Sequence, residues 1–429
     1  MMRKDICCII VVLLGVRLGI GGVFFDQERN VLRVTDYPPE APCDLTRLAE
    51  ADRALGWGRV SYDEASNICV VVGDLVIGSN DGSETVLQIG SAERTNETLV
   101  MRGNLYVAPY WIQGGNAEKS WQAPKMNAIM LGNPTNKTIK AALKFACTPT
   151  NKWSLSCGEV PWIDKNKKRG SGVYVFNSQI AALDPAPGCE ISVGKQGVCS
   201  TVFDGALISG VASMLYRMAP CITNLIRNAI FERVGVPLAG GAQKMSGCKF
   251  INCGTAVMDQ GDIDAELTDC VFQGNDHNWS LTSSDKGLTC IDCTWDAPHK
   301  GDMYRSWTNA VGKVQHPKFT SRRHVVVEVL DAAGKPVKNV TVTFKAQQAG
   351  CDLLPGRKYE TGLDGRTPEK NQDGALQLTE YIKTATGTPD KPDVQTFTYA
   401  ITAETKDKQA TVENIAPNQS WKIVTLTLK

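Results

Sequence analysis

Acidic and basic side chains that could do chemistry together are concentrated between residues 259 and 305. Clustered carboxylates could hold a Ca²⁺ ion while a nearby base removes a proton from a uronate-containing sugar, which is elimination. Two carboxylates could instead act as acid and base in hydrolysis of a glycosidic bond. The candidate catalytic residues are Asp259, Asp262, Asp276, His277, Lys300 and Arg305.

The same acids also have a structural interpretation. Asp262 and Asp264 are typical of solvated turns, and Asn275-Asp276 falls where a bend between strands is expected. No complete catalytic motif accompanies them, so the sequence leaves open whether the chain is an enzyme. If it is, we expect a polysaccharide lyase or glycoside hydrolase, with Ca²⁺ as a cofactor only in the lyase case. Otherwise no cofactor is expected.

A second set of residues could bind a carbohydrate without transforming it. Tryptophan rings stack on sugars, and a run of positive charges could hold an acidic polysaccharide. Core tryptophans and a solvated basic loop would explain the same residues equally well. The candidate glycan contacts are Trp111, Trp121, Trp153, Lys165, Lys167, Lys168 and Arg169.

Four cysteines have a spacing that could close loops. Cys147 and Cys157 are ten residues apart, as are Cys189 and Cys199, and each pair brackets a segment rich in turn residues. In an oxidising compartment we expect disulfides within these pairs, although spacing alone does not fix which cysteines pair.

The other cysteines favour a different role. Cys290-x-x-Cys293 has no second pair at metal-binding spacing, so no zinc site is expected. The cysteines between residues 248 and 293 are predicted to be small buried side chains, with disulfides as the alternative.

The elements that must position these residues are found in a repeat of 22 and 23 residues. Cys248-Lys249-Phe250, Cys270-Val271-Phe272 and Cys293-Thr294-Trp295 each place an aromatic residue two positions after a cysteine. Residues two apart in a strand face the same side, so both can enter one core. Such a period predicts a solenoid in which the three aromatic residues lie above one another. The same spacing predicts a column of asparagines formed by Asn228, Asn252 and Asn275.

Composition and the N-terminus constrain the class of protein. The formal net charge is +1, with 46 basic and 45 acidic residues, so no nucleic-acid partner is expected. A basic start and the short apolar run 6–16 resemble a secretory leader, predicted to cover residues 1–22. An uncleaved strand or anchor is the alternative. The expected location is secreted or cell surface, with no membrane span after leader removal.

The predicted organisation is all-β with several segments. Residues 23–69 are a lead-in and cap containing a short helix over 44–55, residues 70–300 form the solenoid, and residues 301–323 are a linker or second cap. Residues 324–429 contain about seven short alternating segments, typical of a β-sandwich.

Two family resemblances, one for each predicted domain, add to these predictions. The Cys-x-aromatic repeats, the spaced asparagines and the Gly-Asn-Leu-Tyr-Val segment at 103–107 resemble right-handed parallel β-helix proteins of the pectate-lyase-like superfamily. The segments 331–337, 361–365 and 415–417 resemble bacterial immunoglobulin-like and carboxypeptidase-regulatory-like modules. The first resemblance implies a fold that serves lyases, hydrolases, adhesins and phage tail proteins alike. The second implies a spacer or attachment module without catalytic residues, and a bacterial source.

The function expected from these observations is non-catalytic. We expect an exported interaction protein that uses a β-helix face to bind a polysaccharide or a cell-surface protein. A β-helix polysaccharide lyase or glycoside hydrolase acting on an acidic polysaccharide is the first alternative, because the acids and bases at 259–305 could form its site. A structural component of an envelope or appendage is the second alternative.

Overall fold

The structure is a computed structural model that describes most of the chain. The described residues are 22–26, 30–78, 84–108, 127–148, 151, 153–157, 172–183, 190–193, 200–218, 224–258, 264–281, 287–296, 303–308, 312–351, 357–368, 375–386 and 391–429.

Strands dominate these residues, and they are separated by short bends. A single α-helix of the described part, α1, spans Leu45–Leu55. The strands are β1 (Gly22–Asp26), β2 (Val31–Thr35), β3 (Val60–Asp63), β4 (Ile68–Val72), β5 (Asp74–Ile77), β6 (Thr85–Ile89), β7 (Glu97–Arg102), β8 (Leu105–Val107), β9 (Asn127–Leu131), β10 (Ala141–Phe145), β11 (Ser154–Cys157), β12 (Gly172–Phe176), β13 (Gln179–Ala182), β14 (Glu190–Val193), β15 (Ser200–Asp204), β16 (Leu207–Ser209), β17 (Ser213–Met218), β18 (Asn224–Arg227), β19 (Ile230–Glu232), β20 (Val236–Ser246), β21 (Lys249–Ile251), β22 (Thr255–Met258), β23 (Asp264–Thr268), β24 (Val271–Gln273), β25 (His277–Leu281), β26 (Gly287–Ile291), β27 (Thr294–Trp295), β28 (Met303–Tyr304), β29 (Trp307–Thr308), β30 (Val314–Gln315), β31 (Lys318–Asp331), β32 (Thr341–Ala346), β33 (Tyr359–Glu360), β34 (Gln377–Thr384), β35 (Asp393–Thr396), β36 (Tyr399–Glu404), β37 (Gln409–Ile415) and β38 (Lys422–Leu428).

The chain divides into two compact units. The first comprises Met1–Asp262, Val271–Ser280 and Trp295–Gly301. The second comprises Ile263–Cys270, Leu281–Thr294 and Asp302–Lys429.

The first unit is built from three ladders of parallel strands. Ladder I contains β4, β7, β10, β13, β16, β19, β21 and β24. Ladder II contains β2, β5, β8, β11, β14, β17, β20, β22 and β25. Ladder III contains β6, β9, β12, β15, β18 and the end of β20. Because the chain visits the ladders in turn, strands three apart in sequence become neighbours, an arrangement compatible with a solenoid.

One inward column of ladder I shows how the sequence specifies this register. Each member is fully buried at 0% exposure, and each is the in-register partner of the next. Shifting any strand by one residue would turn its buried side chain outward, so the apolar column fixes the pairing. The column is Cys69, Leu99, Leu143, Ile180, Ile208, Phe231, Phe250 and Phe272.

The aromatic end of this column confirms the predicted stacking of Phe250 on Phe272. Their ring centroids are 4.9 Å apart with an interplanar angle of 15°. Phe231 extends the stack at 5.2 Å and 8° from Phe250. Both separations are close to the roughly 4.8 Å between neighbouring strands, as in-register stacking requires. Trp295, predicted to stack next, instead packs edge-on against Trp279 of ladder II at 5.6 Å and 89°, and Trp279 in turn lies edge-on to Phe272 at 5.9 Å and 90°.

The predicted asparagine column is wrong. Asn228 follows a strand of ladder III, whereas Asn252 follows a strand of ladder I, so they belong to different bends. Both have a left-handed backbone, with φ of 53° and 52°. The residues beside their side chains are Gly247 and Gly274, where an added Cβ would lie 2.6 Å and 2.3 Å from the asparagine Oδ1 atoms. Asparagine therefore alternates with glycine, because the side-chain amide leaves no room for a Cβ in the next bend.

Asn275 has a separate role in joining consecutive repeats. Its Oδ1 accepts a hydrogen bond from the Cys253 backbone N–H at 2.8 Å, and its Nδ2 donates to the Phe250 carbonyl at 3.2 Å. Both partners lie more than twenty residues earlier in the chain, so one amide side chain satisfies backbone groups of the preceding repeat.

The N-terminal segment confirms the predicted helix. Asp44 is its N-cap and accepts a hydrogen bond from the Arg47 backbone N–H at 2.8 Å, while Gly56 ends it in a left-handed conformation with φ of 67°. Strand β3 then pairs antiparallel with β4 at one edge of ladder I.

The second unit contains a short ladder of parallel strands and two sheets whose strands pair mostly antiparallel. Strand β31 continues the β23 and β26 ladder through its first five residues. The same strand then pairs in parallel with β38 and antiparallel with β34, which pairs with β35. A second sheet has the order β33, β32, β36, β37. Their inner faces share one apolar core that includes Val327, Val342, Tyr399 and Leu426.

The all-β prediction is therefore confirmed, with 57% strand and 4% helix among the residues that the structure describes. The abundance of parallel strands also agrees with the predicted stacking. Strand β31 runs without interruption across residue 324, where the sequence predicts the start of a domain.

Candidate functional site

The predicted catalytic residues are placed only in part. Asp276 is exposed and His277 half-buried at the start of β25, where their backbone N–H groups donate to the carbonyls of Cys253 and Gly254 at 2.9 and 2.8 Å. Asn275-Asp276 thus occupies the predicted bend. Arg305 is exposed and belongs to the second unit. The other three candidates, Asp259, Asp262 and Lys300, lie outside the described residues.

Within the part of the chain that the structure describes, no group of three or more His, Cys, Asp or Glu side chains could hold a metal ion. In that same part, no helix has the length and apolar character needed to cross a membrane.

Of the predicted glycan contacts, Trp153 alone lies among the described residues. It is half-buried, and its Nε1–H donates to the Ala146 carbonyl at 3.1 Å. That bond fixes the ring against the chain just after β10. Trp111, Trp121, Lys165, Lys167, Lys168 and Arg169 fall outside the described residues.

The predicted bond between Cys147 and Cys157 is not formed. Cys147 is disulfide-bonded, but Cys157 carries a thiol. The Cys157 side chain packs in the core instead: it is fully buried on β11, in register with Val107 of β8. Cys189 and Cys199 lie outside the described residues.

The repeat cysteines are buried thiols, as predicted. Cys248, Cys253, Cys270, Cys290 and Cys293 are all at most 2% exposed. Burial raises the pKa of Cys253 to about 11, so this thiol is protonated at neutral pH.

A polar cluster that the sequence analysis missed lies in the second unit. Asp292 and His324 are 7% and 8% exposed, and the Asp292 carboxylate accepts hydrogen bonds from His324 Nδ1 and from the His324 backbone N–H, the latter at 3.0 Å. The His324 ring stacks on Trp421 at 4.3 Å and 8°. Burial alone would raise the pKa of Asp292, but the hydrogen bonds from His324 and Ser420 outweigh it and lower that pKa below its usual value.

Arg323 extends the same cluster. Its Nε donates to Glu380 Oε2 at 3.1 Å, and its Nη1 donates to the Cys293 carbonyl at 2.7 Å and to Ser420 Oγ at 3.3 Å. The cluster therefore joins the end of β26 to β31, β34 and the turn before β38.

The geometry of this cluster fits a structural role better than a catalytic one. A serine nucleophile needs its hydroxyl on the imidazole, with the carboxylate on the far side of the ring. Here Ser420 hydrogen-bonds to Asp292 itself, so the hydroxyl and the imidazole compete for one carboxylate. The same groups instead satisfy backbone N–H and carbonyl groups of neighbouring strands, which is a structural role.

A second serine and histidine pair lies nearer the surface. Ser306 Oγ is 2.8 Å from His316 Nδ1, but it also lies 2.9 Å from the Thr386 carbonyl. His316 Nδ1 is in turn 3.2 Å from the Ala385 carbonyl. Carbonyls only accept, so the bonding is best satisfied when Ser306 donates to Thr386 and Nδ1–H donates to Ala385 and Ser306. In that arrangement His316 Nδ1 carries a hydrogen, so it cannot accept a proton from Ser306.

One buried carboxyl group in the first unit is also structural. Glu97 is 2% exposed and accepts hydrogen bonds from the Tyr62 hydroxyl at 3.2 Å and the Gly90 backbone N–H at 2.9 Å. Burial raises its pKa, with the two hydrogen bonds acting in the opposite direction. These contacts join β3, β7 and the bend after β6.

A regular surface is formed by the outward face of ladder I, where two in-register columns alternate with the inward ones. The first column is Ile68, Thr98, Ala142, Gln179, Leu207, Ile230, Lys249 and Val271. The second is Val70, Val100, Lys144, Ala181, Ser209, Glu232, Ile251 and Gln273.

This outward face is mostly apolar and carries little charge. Lys144, Glu232 and Lys249 are its charged members among sixteen side chains. Ile68 is 36% exposed, whereas Ala181 is only 3% exposed. The larger side chains around the small central ones therefore form the outermost surface. The sequence signal for this face is that the short strands carry apolar residues at consecutive positions, so that both faces of the sheet receive them.

Comparison of the chain with protein-family models, with curated proteins and with solved structures gave no match.

Proposed function

We propose that this chain is an exported, non-catalytic interaction protein that presents the outward face of ladder I to a protein partner. The observation that carries the proposal is the face itself: eight parallel strands in register, with two outward columns that are mainly apolar. Nine of the sixteen side chains are apolar, and a regular surface of this kind is suited to contact with another macromolecule.

A protein partner fits this face better than a glycan does. Sugars are bound largely through stacking on aromatic rings, and the two columns contain no aromatic ring. Three charged side chains, two positive and one negative, also offer little to an acidic polysaccharide.

We further propose that the first unit is a right-handed β-helix of the pectate-lyase-like type and that the end of the chain is an immunoglobulin-like module. The cyclic order of the three ladders supports the former. Two facing sheets, with β31 parallel to the final strand β38, support the latter. An experimental structure of the full chain would test the handedness directly.

The test of the function uses a photo-crosslinking amino acid placed at Ile230, in the middle of the face, in the cells that produce the protein. The matched control places the same amino acid at Asp276, which is exposed on the first unit but is not on ladder I. We expect protein crosslinks from position 230 and few from position 276. Equal crosslinking from the two positions would contradict the proposal.

Catalysis and export have their own tests. Incubation of the full chain with uronate-containing polysaccharides, with and without Ca²⁺, should give neither unsaturated products nor new reducing ends, and turnover would refute the non-catalytic assignment. The mature protein recovered from the producing cells should be outside the cytoplasm and begin near residue 23. Recovery of the intact chain from the cytoplasm would refute export.

A further inference from the structure

The charges on the outward face of ladder I are distributed in a way that is self-complementary. Lys144 lies on β10, the third strand of the ladder, and Glu232 lies on β19, the sixth. Both belong to the second column, because Lys144 pairs with Ala181, Ala181 with Ser209, and Ser209 with Glu232. The two opposite charges are thus equidistant from the midpoint between β13 and β16.

A twofold axis through that midpoint, parallel to the strands, would place two copies face to face. The axis reverses the order of the strands and leaves each column opposite itself. The third strand of one copy then faces the sixth strand of the other, so Lys144 meets Glu232 twice, once in each direction. A closed dimer requires such an isologous surface, in which each contact occurs twice.

Several uncharged residues agree with the same operation, whereas Gln179 meets Leu207 and Val70 meets Gln273. Ala181 and Ser209 face each other across the axis, and because they are only 3% and 7% exposed, the larger side chains around them would make most of the contact. Val100 meets Ile251 on the outer strands of the same column. In the first column, Ala142 meets Ile230, and Lys249 meets the neutral Thr98 instead of another charge.

We propose that the partner of this face is a second copy of the chain, related by a twofold axis between β13 and β16, with Lys144 of each copy paired with Glu232 of the other. This inference rests on the proposed function, because it names the occupant of the same face. Both side chains are half-buried, and Glu232 lies 3.9 Å from the Nε of the adjacent Arg233 with 38% of its side chain exposed. A rim charge paired across an interface sets the orientation and excludes wrong partners.

The test is a charge-swap series on the full chain, followed by sedimentation velocity. The wild type is expected to sediment as a dimer. Lys144→Glu and Glu232→Lys should each be monomeric at the same concentration, since each places two like charges together twice, and the dissociation constant should rise at least about a hundredfold. Mixing the two variants should restore a dimer that contains one copy of each, because Glu at 144 then faces Lys at 232 and the native residues face each other.

The matched control is Lys249→Glu, which reverses a charge on the same face. It is expected to remain dimeric, because its position faces Thr98. All three substitutions lie on exposed or half-buried side chains, and circular dichroism melting curves check that each variant folds. A dimer in both single variants, loss of the dimer in the control, or failure of the mixture to reassociate would overturn the inference.

A monomeric wild type at about 100 μM would also overturn it, since a specific dimer with a dissociation constant in the micromolar range would be largely formed at that concentration. If that monomer still crosslinks a different protein through position 230, the proposed function stands and the second copy is excluded as the partner. If it binds a glycan through the same face, both proposals fail.

Discussion

The aromatic column of the first unit and the Asp292 cluster of the second both hold parallel strands in register, but they use different forces. In the column, Phe231, Phe250 and Phe272 repeat one apolar shape at the strand spacing. In the cluster, a carboxylate and an imidazole that are each less than 10% exposed join strands through directional hydrogen bonds.

The difference lies in what each region tolerates. Apolar stacking depends on volume and is nearly independent of pH, because none of its members titrates. A buried carboxylate depends on its hydrogen-bond donors, because removal of either partner leaves a buried polar group unsatisfied. The column should therefore respond to truncation, and the cluster should respond to charge and to acid.

The largest effect is expected at the centre of the column. Phe250→Ala removes a fully buried ring that stacks on both sides, and we expect the free energy of unfolding to fall by about 3–5 kcal/mol. Chemical denaturation of the full chain measures the change. The control is Lys249→Ala on the outward side of the same strand, which should change stability by less than about 0.5 kcal/mol. Equal effects would show that the strand does not bury Phe250.

The cluster should give a somewhat smaller loss. Asp292→Asn removes the carboxylate that accepts two hydrogen bonds from His324, and we expect a destabilisation of about 1–3 kcal/mol at pH 7. Because the folded state lowers the pKa of Asp292, its contribution is present above the unfolded pKa of about 3.9 and is lost as the pH falls through the folded value.

The wild type and this variant should therefore converge in stability as the pH falls from about 5 toward 2. Denaturation curves across that range measure the convergence. A difference that stays constant with pH would rule out ionised Asp292 as the source.

The alternation of asparagine and glycine at the bends predicts a third effect. An alanine at Gly274 must adopt a φ of 64° and would place its Cβ 2.3 Å from Asn252 Oδ1. We expect a loss of about 2–3 kcal/mol, from backbone strain together with the collision. Gly58→Ala shares the left-handed backbone, with φ of 67°, but has no atom within 4 Å of the added Cβ, so it should cost about 1 kcal/mol. Similar losses would mean that the asparagine does not occupy this space.

The smallest single-site effect is expected at the bend that joins two repeats. Asn275→Ala leaves the Cys253 N–H without its acceptor, which should cost about 1–2 kcal/mol. The neighbouring Asp276→Ala removes an exposed side chain and should stay within about 0.5 kcal/mol. Thermal melting of the two variants side by side compares them, and a larger loss for Asp276 would reverse the assignment.

The sequence predicted the aromatic column because a cysteine marks each copy at the same offset. The repeat pattern did not include Phe231 for two reasons. Ala229 occupies the position of the cysteine, and the interval from Phe231 to Phe250, which contains β20, is only 19 residues. The position two residues before each ring needs a small buried side chain, and either alanine or cysteine meets that need.

The cluster was not predictable by the same reasoning. Asp292 and His324 are 32 residues apart, and neither belongs to a repeated pattern. Their contact depends on the pairing of β31 with β26, and the local periodicity of a sequence does not show which strands pair. The asparagine column failed for a related reason: equal spacing along the chain placed residues on different ladders.

The central claim is that Phe250 and Phe272 share one continuous interior, and a double-mutant cycle on the full chain tests it most directly. Phe250→Leu and Phe272→Leu, alone and combined, should show a coupling of about 0.5–1.5 kcal/mol, as expected for stacked rings. The pair Phe250→Leu and Leu99→Val, five strands apart on ladder I, should be additive. Additivity in both cycles would contradict the stacked interior.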